Sequence, residues 1–484
     1  MKHSENSDDE EQKVEKFPIV EEKTQDLPLS QEMEGQLYLH LAQFIVQNHL
    51  PFDSAEHILE LIKLLTKTYD PKLINRAHIS SITLTKIVRE CIGETLQENI
   101  YNELKSSPYS LLVDGSSDIY GGKYLALLVR YLNIQKGTPI TKLIAVIVLG
   151  SSSTGEAFYT KIMEHLFSQD PILKTNIIGI CSDGASNMKS ILNKGLYNRL
   201  KEDITHLIHI KDLCHCYNIV CEQALKEFPV YIISFIRKVC SYFNIGQRSS
   251  RLKEVQIQAG EKEPVKILRY IEDRWSSLLH CAERILRLWK SLQLYFEEAE
   301  STLKTEINDP EYELYIYLLV ILLHKTVGYI VLFQKSDLLW DCVYEKMKES
   351  FTLFSRFLLK EPYQYSEFND VYSIPFDDPG HSICKEKLAN LDEFKIKLFS
   401  KYPRIQEYLS LIKEKKPQRF LGIQRELAGH AQKFILSAVV LMKSKLPFSN
   451  HILEDSQVIF KKNLYGTSLE RFSQEFSQYH YRRK

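Results

Sequence analysis

Excess charge of either sign is missing. Lys plus Arg and Asp plus Glu stand at 62 each over 484 residues, so no global field draws the chain to nucleic acid or to a membrane surface. Any nucleic-acid contact has to be local. No apolar signal segment opens the chain, and the longest near-continuous apolar stretch, Leu314 to Leu323, is too short to cross a bilayer. No membrane partner is expected, and the expected compartment is the nucleus or the cytoplasm. The nine cysteines (91, 181, 214, 216, 221, 240, 281, 342, 384) are odd in number, irregularly spaced and mostly set in apolar patterns. They read as reduced intracellular thiols rather than a disulfide frame. No internal repeat is found, only two similar turns, Leu50-Pro-Phe-Asp-Ser54 and Leu446-Pro-Phe-Ser-Asn450.

An apolar fraction of 44% over this length supports more than one compact unit. Residues 1–30, rich in Ser, Asp, Glu, Gln and Lys, bury too little surface to offset ordering and read as a disordered acidic tail. Residues 31–106 read as an N-terminal helical region, with Leu37, Leu41, Phe44 and Ile45, then Ile58, Leu61, Ile62 and Leu65, at helical spacing. Across 107–225 the period shortens to that of strands: Tyr109 to Asp114, Lys123 to Leu132 and Thr141 to Leu149 form a meander. A helix capped by Ser153 or Thr154 follows, then a strand from Ile177 to Cys181, parallel to the first, and a fifth candidate from Thr205 to Ile210. Residues 226–420 read as helical, including Trp275 to Leu292 and Glu311 to Phe333, with 361–381 as a long surface loop. Residues 421–484 hold a last strong helix, Leu421 to Leu446, and a short C-terminal region.

This strand order is that of an RNase H-like core. The expected fold is α/β plus all-α: an RNase H-like mixed sheet interrupted by a large helical insertion domain, predominantly helical overall. In such a core, acids at the ends of the first and fourth strands meet side by side. Here these are Asp114, in Leu111-Leu-Val-Asp-Gly-Ser-Ser-Asp118, and Asp183, in Ile180-Cys-Ser-Asp-Gly-Ala-Ser-Asn187. Carboxylates of that kind hold Mg²⁺, a pair of ions about 3.5 to 4 Å apart stabilising the attacking and leaving oxygens of phosphoryl transfer. Each aspartate alone is an ordinary strand-end turn residue before Gly. The pair points to the fold rather than to activity.

These segments, with Cys214-His-Cys-Tyr-Asn218, Asp273-Arg-Trp-Ser-Ser277 and Lys445-Leu-Pro-Phe448, resemble the hAT superfamily of DNA transposases and the host proteins derived from them, from about Leu37 to about Leu464. The resemblance implies that Asp114 and Asp183 are two members of a three-acid catalytic set and that the helical domain is an insertion in the core. It also implies that Arg274 and Trp275 lie near DNA, where the indole could stack on an unpaired base. A helix-packing role for Trp275 stands equally. His215 matches the histidine of the family's Cys-x-x-His motif. Asp212 holds the cysteine position and Cys214 is displaced by two. His206, His209, Cys214, His215 and Cys216 invite a zinc reading, but no second, distant Cys/His pair supports it, so no metal is assigned.

The third acid is a glutamate of the returning segment in active relatives. Glu426, Glu454, Asp455 and Glu470 are the candidates here, and Glu470, in Ser468-Leu-Glu-Arg-Phe-Ser473, has the nearest context. None is assigned, and no Cys/Cys/His/His finger of the BED type precedes the core. Mg²⁺ is therefore expected only if catalysis is retained. Small basic groups at Arg248, Arg251 and Lys253, at Arg284, Arg287 and Lys290, and at Arg482, Arg483 and Lys484 read as solvated faces. In the tail, Phe17, Ile19 and Val20 of Phe17-Pro-Ile-Val-Glu-Glu22, behind Asp8-Asp-Glu-Glu11, resemble a SUMO-interacting segment that adds a strand to a sheet edge. The sequence thus suggests a transposase-derived nuclear interaction or regulatory protein without transposition, with DNA, SUMO or other nuclear proteins as partners. A SUMO-pathway, ligase-like factor and a residual metal-dependent nuclease are the alternatives.

Overall fold

A computed structural model describes residues 31–69, 79–118, 120–133, 137–150, 152–168, 170–189, 195–271, 275–299, 301–335 and 340–454. The chain forms two compact units, Met1–Lys105 and Ser106–Lys484.

The first unit is helical. It contains α1 (Gln31–Gln47), α2 (Ser54–Tyr69), α3 (Ser81–Lys86) and α4 (Glu94–Ser106), the last two joined by a π-helical turn over Ile87–Gly93. Leu41, Ala42 and Ile45 of α1 pack with Ala55, Leu59, Ile79 and Leu84 in one buried cluster, which is why the apolar stripe recurs at helical spacing. Between α1 and α2 the chain turns through His49, at a left-handed φ of 52°. The amide of Ser54 then donates to the Pro51 carbonyl at 3.0 Å. At α3 the Ser80 hydroxyl accepts from the Thr83 amide at 3.2 Å and caps the helix.

The second unit is built on a five-stranded sheet in the order β3-β2-β1-β4-β5. Its strands are β1 (Tyr109–Ser117), β2 (Lys123–Asn133), β3 (Thr138–Gly150), β4 (Ile177–Ser182) and β5 (Ile208–Lys211). β1, β2 and β3 pair antiparallel, while β1 pairs parallel with β4 and β4 with β5. The expected meander and parallel return are therefore present, with longer β1 and β3 and a shorter, later β5. Asp118 closes the first hairpin: one carboxylate oxygen accepts from the amides of Tyr120 (2.8 Å) and Gly122 (2.7 Å), the other from the Tyr124 hydroxyl (2.9 Å). These donors hold its carboxyl below the ordinary carboxylate value, the Gly122 amide foremost.

Between β3 and β4 lie α5 (Gly155–Ile162), with a π-helical turn at Met163–Phe167, and α6 (Ile172–Asn176). Thr154, one of the two expected caps, accepts from the Ala157 amide at 3.2 Å. After β4 come α7 (Ser186–Lys189) and α8 (Leu196–Asp203), and after β5 comes α9 (Leu213–Leu225), which leads into the helical part.

That part comprises α10 (Val230–Tyr242), α11 (Gly246–Gln258), α12 (Trp275–Arg287), α13 (Trp289–Glu298), α14 (Leu303–Ile307), α15 (Pro310–Phe333) and α16 (Trp340–Leu358). It continues with α17 (Phe368–Tyr372), α18 (Ser382–Lys387), α19 (Leu391–Lys401), α20 (Pro403–Lys415) and α21 (Phe420–Lys445). The mixed sheet and this helical mass make the chain mainly helical around a small α/β core. Against the expectation drawn from Leu314 to Leu323, the whole helix α15 is long and apolar enough to cross a membrane by length and composition alone. Here it packs against α9, α12, α20 and α21, so its all-round apolar surface is that of a core helix.

The stretch Trp275 to Leu292 is helical as expected, divided between α12 and the start of α13. One further expectation needs correction. Residues 361–381 are not a surface loop: a 3-10 turn at Glu361–Tyr365 and helix α17 carry Val371, Ile374 and Phe376 into the core. The Phe351 ring of α16 packs edge-on against Phe368, Tyr372 and Phe376 and against Phe448 beyond α21. That aromatic knot holds the segment down.

Candidate functional site

The parallel ladder between β1 and β4 sets Leu112 opposite Cys181. Two residues on from these stand Asp114, inside β1 and not at its end as expected, and Asp183, the first residue beyond β4. The chain supports Asp183 closely: its Oδ1 accepts from the Ala185 amide at 3.1 Å, and the preceding Ser182 hydroxyl shares a 3.1 Å hydrogen bond with Nε2 of buried His209. Asn187 Nδ2 donates to the Ser153 carbonyl at 3.1 Å, tying the Asp183 loop to the start of α5. Gly155 makes this approach possible. A Cβ there would lie 2.7 Å from the Asn187 carbonyl oxygen and 2.9 Å from both Gly195 Cα and the Leu196 nitrogen.

A third acid joins them. The amide of Asp212 donates to the Ser182 carbonyl at 2.9 Å, which draws the end of β5 to the end of β4. Its Oδ1 accepts from the His215 amide at 3.2 Å and caps α9. Asp114 feels the group as a whole: its carboxyl is raised above the ordinary value by partial loss of hydration, then by Asp183 and Asp212, with His215 and a Gly115 backbone hydrogen bond opposing. In the sequence Asp212 stands out only as the residue at the family's cysteine position. The available signal was an acid at a strand-to-helix junction, where N-caps are common.

The sulfur groups beside this site are packed. Burial first, then Asp212 and the neighbouring thiols, push Cys181 up to about 12. Burial and then Asp212 do the same for Cys214, also to about 12. Cys216 is pushed up to about 11, again chiefly by burial. Thiols so placed stay protonated at neutral pH. Cys214 donates to the Ile330 carbonyl (3.9 Å) and Cys216 to that of Lys445 (3.5 Å). His206 Nε2 donates to the Ile177 carbonyl at 2.8 Å. Among the described residues no three His, Cys, Asp or Glu groups are arranged to hold a metal ion. The carboxylates are the oxygen donors that Mg²⁺ prefers, but as placed they do not converge on it.

Of the other candidate acids, Glu426 pairs with Arg419 at 3.4 Å and Glu454 with His451 at 3.7 Å, while Asp455 and Glu470 lie outside the described residues. Trp275 is the first residue of α12 but its side chain lies outside the description, as do Arg274 and the tail residues Phe17, Ile19 and Val20. Several residues of the basic groups have local partners. Arg248 lies over the Tyr242 ring, Arg251 pairs with Glu298 at 2.6 Å, Arg287 pairs with Glu261 at 3.2 Å and Arg284 donates to the Lys266 carbonyl at 2.6 Å. Arg482, Arg483 and Lys484 fall outside the described residues.

Residues 5–194 match the DUF4371 family, described as ZMYM1/FAM200, RNase-like domain. The matched stretch contains β1 to β4 and both Asp114 and Asp183, and it ends before β5 and Asp212. It supports an RNase-like, transposase-derived domain in this part of the chain. No curated protein matches the chain.

Proposed function

We propose that the chain descends from an hAT transposase, no longer transposes, and acts as a nuclear interaction or regulatory protein with weak, local nucleic-acid binding. The observation that carries this reading is Asp212. The acid that joins Asp114 and Asp183 is the N-cap of α9, so its carboxylate serves the junction between sheet and helical domain. Asp212 stands where the family has a cysteine, so it is a capping acid rather than the third member of the catalytic set, which stays unassigned. The local pairing of Arg251, Arg284 and Arg287 fits weak rather than extended contact with a phosphate backbone. The test is to incubate the full chain with linear and hairpin-ended DNA in Mg²⁺ or Mn²⁺ and follow nicking and strand transfer, with binding read by fluorescence anisotropy across a salt series. The expected result is weak, salt-sensitive binding without cleavage. Cleavage that disappears in Asp114→Asn would refute it.

A residual metal-dependent nuclease is the second reading, favoured by one observation. Asp114 is raised first by partial burial and then by Asp183 and Asp212, and a divalent cation would relieve the part that comes from the two carboxylates. The same cleavage assay decides between the two. The SUMO-pathway reading rests on Phe17, Ile19 and Val20 alone. Titrating SUMO into a labelled peptide of residues 1–35 tests it, and unchanged amide shifts reject it.

A further inference from the structure

Residues 265–271, between α11 and α12, belong to neither helix nor strand, so their backbone groups are satisfied by side chains. Buried Gln256 of α11 clamps Val265: its Nε2 donates to the Val265 carbonyl at 3.0 Å and its Oε1 accepts from the Val265 amide at 2.9 Å. On α12, Ser277, Cys281 and Arg284 stand at i, i+4 and i+7 and share one face. They donate in turn to the carbonyls of Arg269 (3.4 Å), Leu268 (3.7 Å) and Lys266 (2.6 Å). Arg237 of α10 donates to the Tyr270 hydroxyl at 3.2 Å. The segment is a strap held by side chains of α10, α11 and α12, and Cys281 is one of its fasteners.

Two thiols meet there. Cys240, one helical turn beyond Arg237 on α10, hydrogen-bonds to Cys281, and both side chains are buried. Burial pushes the Cys221 thiol up to about 12, as it does Cys181 and Cys214. Cys281 moves the other way: the Cys240 hydrogen bond lowers it most, burial opposes, and Ser277 and the Arg284 guanidinium lower it further. Cys240 is raised, chiefly by the same hydrogen bond. Deprotonation of the pair therefore falls on Cys281, with the proton kept on Cys240. A thiolate stabilised by a neighbouring cation, with a second thiol against it, is the arrangement of a reactive cysteine and its resolving partner.

We propose that Cys240 and Cys281 are a redox-modification site, which hydrogen peroxide converts from two thiols to a disulfide joining α10 to α12. The hydrogen-bonded sulfurs have to close by roughly 2 Å to reach a disulfide bond length. In the first step the Cys281 thiolate attacks one peroxide oxygen and the O–O bond breaks. Cys281 becomes a sulfenic acid, and the other oxygen leaves as hydroxide, which takes up the proton Cys281 released. The Cys240 sulfur then attacks the Cys281 sulfur. The S–S bond forms, the S–O bond breaks, and the sulfenic oxygen leaves as water with the Cys240 proton. Two thiols and one peroxide thus give one disulfide and two waters, the sulfurs oxidised and the peroxide reduced. The strap is the cover over the pair: side chains rather than a ladder hold it, so it opens locally at lower cost than the helices around it and admits the oxidant. A reversible bond of this kind suits a chain whose nine cysteines are free thiols. The reading does not depend on what the three acids bind.

The test treats the full, reduced wild-type chain with hydrogen peroxide in small excess, alkylates the remaining thiols at intervals and maps all nine cysteines by mass spectrometry without reduction. The expected product is a peptide pair joining Cys240 to Cys281, reversed by dithiothreitol, with the helical circular dichroism unchanged. It is expected to form at least about 10-fold faster than Cys221 is oxidised, since Cys221 is fully buried and its neighbour is the Thr326 hydroxyl rather than a second thiol. In Cys240→Ser the resolving thiol is gone, and Cys281 is expected to accumulate as a sulfenic acid that dimedone captures. The proposal is overturned if Cys240 and Cys281 of the wild type are oxidised no faster than Cys221, if Cys281 pairs with another cysteine, or if the disulfide appears only as the circular dichroism collapses.

Discussion

Replacing Asp212 with Asn removes a charge and keeps a side-chain oxygen able to accept from the His215 amide, whereas replacing it with Ala removes both. The two substitutions therefore separate the cap from the acid cluster. Loss of an N-cap side chain costs about 0.5–2 kcal/mol, typically about 1. Loss of the negative charge at the α9 N-terminus costs a further 0.3–1 kcal/mol or so. Against this stands relief of repulsion with Asp114, which is open to solvent, so the gain is on the order of 0.5 kcal/mol or less. Asp212→Asn should come out close to neutral, and Asp212→Ala about 1 kcal/mol less stable.

A chain of two compact units does not give one clean unfolding free energy, so a local probe is the better assay. Amide exchange over residues 213–217 reads the first turn of α9 directly. A loss of about 1 kcal/mol corresponds to roughly 5-fold faster opening. The expected pattern is an increase of that size in Asp212→Ala and little change in Asp212→Asn. Equal acceleration in both would refute the capping argument, because it would place the effect in the charge alone. No change in Asp212→Ala would show that the Asp212–His215 bond contributes nothing. The Asp114 carboxyl should also fall toward its ordinary value in Asp212→Asn, since one of its two raising charges is gone while partial burial and Asp183 remain.

Asp114→Asn should stabilise the protein slightly at neutral pH. A raised carboxyl means that the folded state holds the proton more tightly, so the stability contributed by Asp114 is fully present below the ordinary value of 3.8 and is lost as pH rises through the raised folded value. The advantage of Asn should therefore stay well under about 1 kcal/mol at pH 7 and vanish toward pH 4. Paired urea titrations at several pH values check it, and an advantage that grows on acidification would contradict the assignment. Gly155→Ala should cost about 1–3 kcal/mol, because the new Cβ meets backbone atoms of Asn187, Gly195 and Leu196 that cannot rotate away. Faster amide exchange at residues 182–188 is the expected signature, and unchanged exchange there would mean that α5 and the Asp183 loop separate without cost.

The sheet was legible because its period is unambiguous. Leu111 and Val113 alternate with polar or half-buried neighbours, and the short turns between β1, β2 and β3 leave no room for anything but hairpins. β5 was harder to place, since Ile208-His-Ile-Lys211 is too short to show a period and its pairing with β4 is long-range. Residues 361–381 were misread for a compositional reason. Tyr, Pro, Asp and Ser dominate the segment, and elements as short as α17 fall below the window in which helical spacing shows. Their burial depends on Phe351 and Phe448, partners that no local pattern announces. The long helix α15 shows the converse ambiguity, because its composition fits a membrane span and only its packing against α9, α12, α20 and α21 identifies it as a core element.

The acids show how topology and chemistry part company. β1, β4 and β5 are neighbours and run parallel, so their C-terminal ends lie along one edge of the sheet. Asp114 lies inside β1 rather than at its end, while Asp183 and Asp212 directly follow β4 and β5, so the ladder itself brings the three near one another whether or not a cation is bound there. Proximity of Asp114, Asp183 and Asp212 is thus a consequence of the fold and distinguishes little between an active and a retired site. What distinguishes them is how each carboxylate is engaged. Asp183 steadies its own loop and Asp212 caps α9, tasks that both perform whether or not the site is catalytic. Among the described residues Asp114 caps no helix and holds no loop. Its environment disfavours its charge, so it is the one acid of the three whose retention a purely structural account explains least.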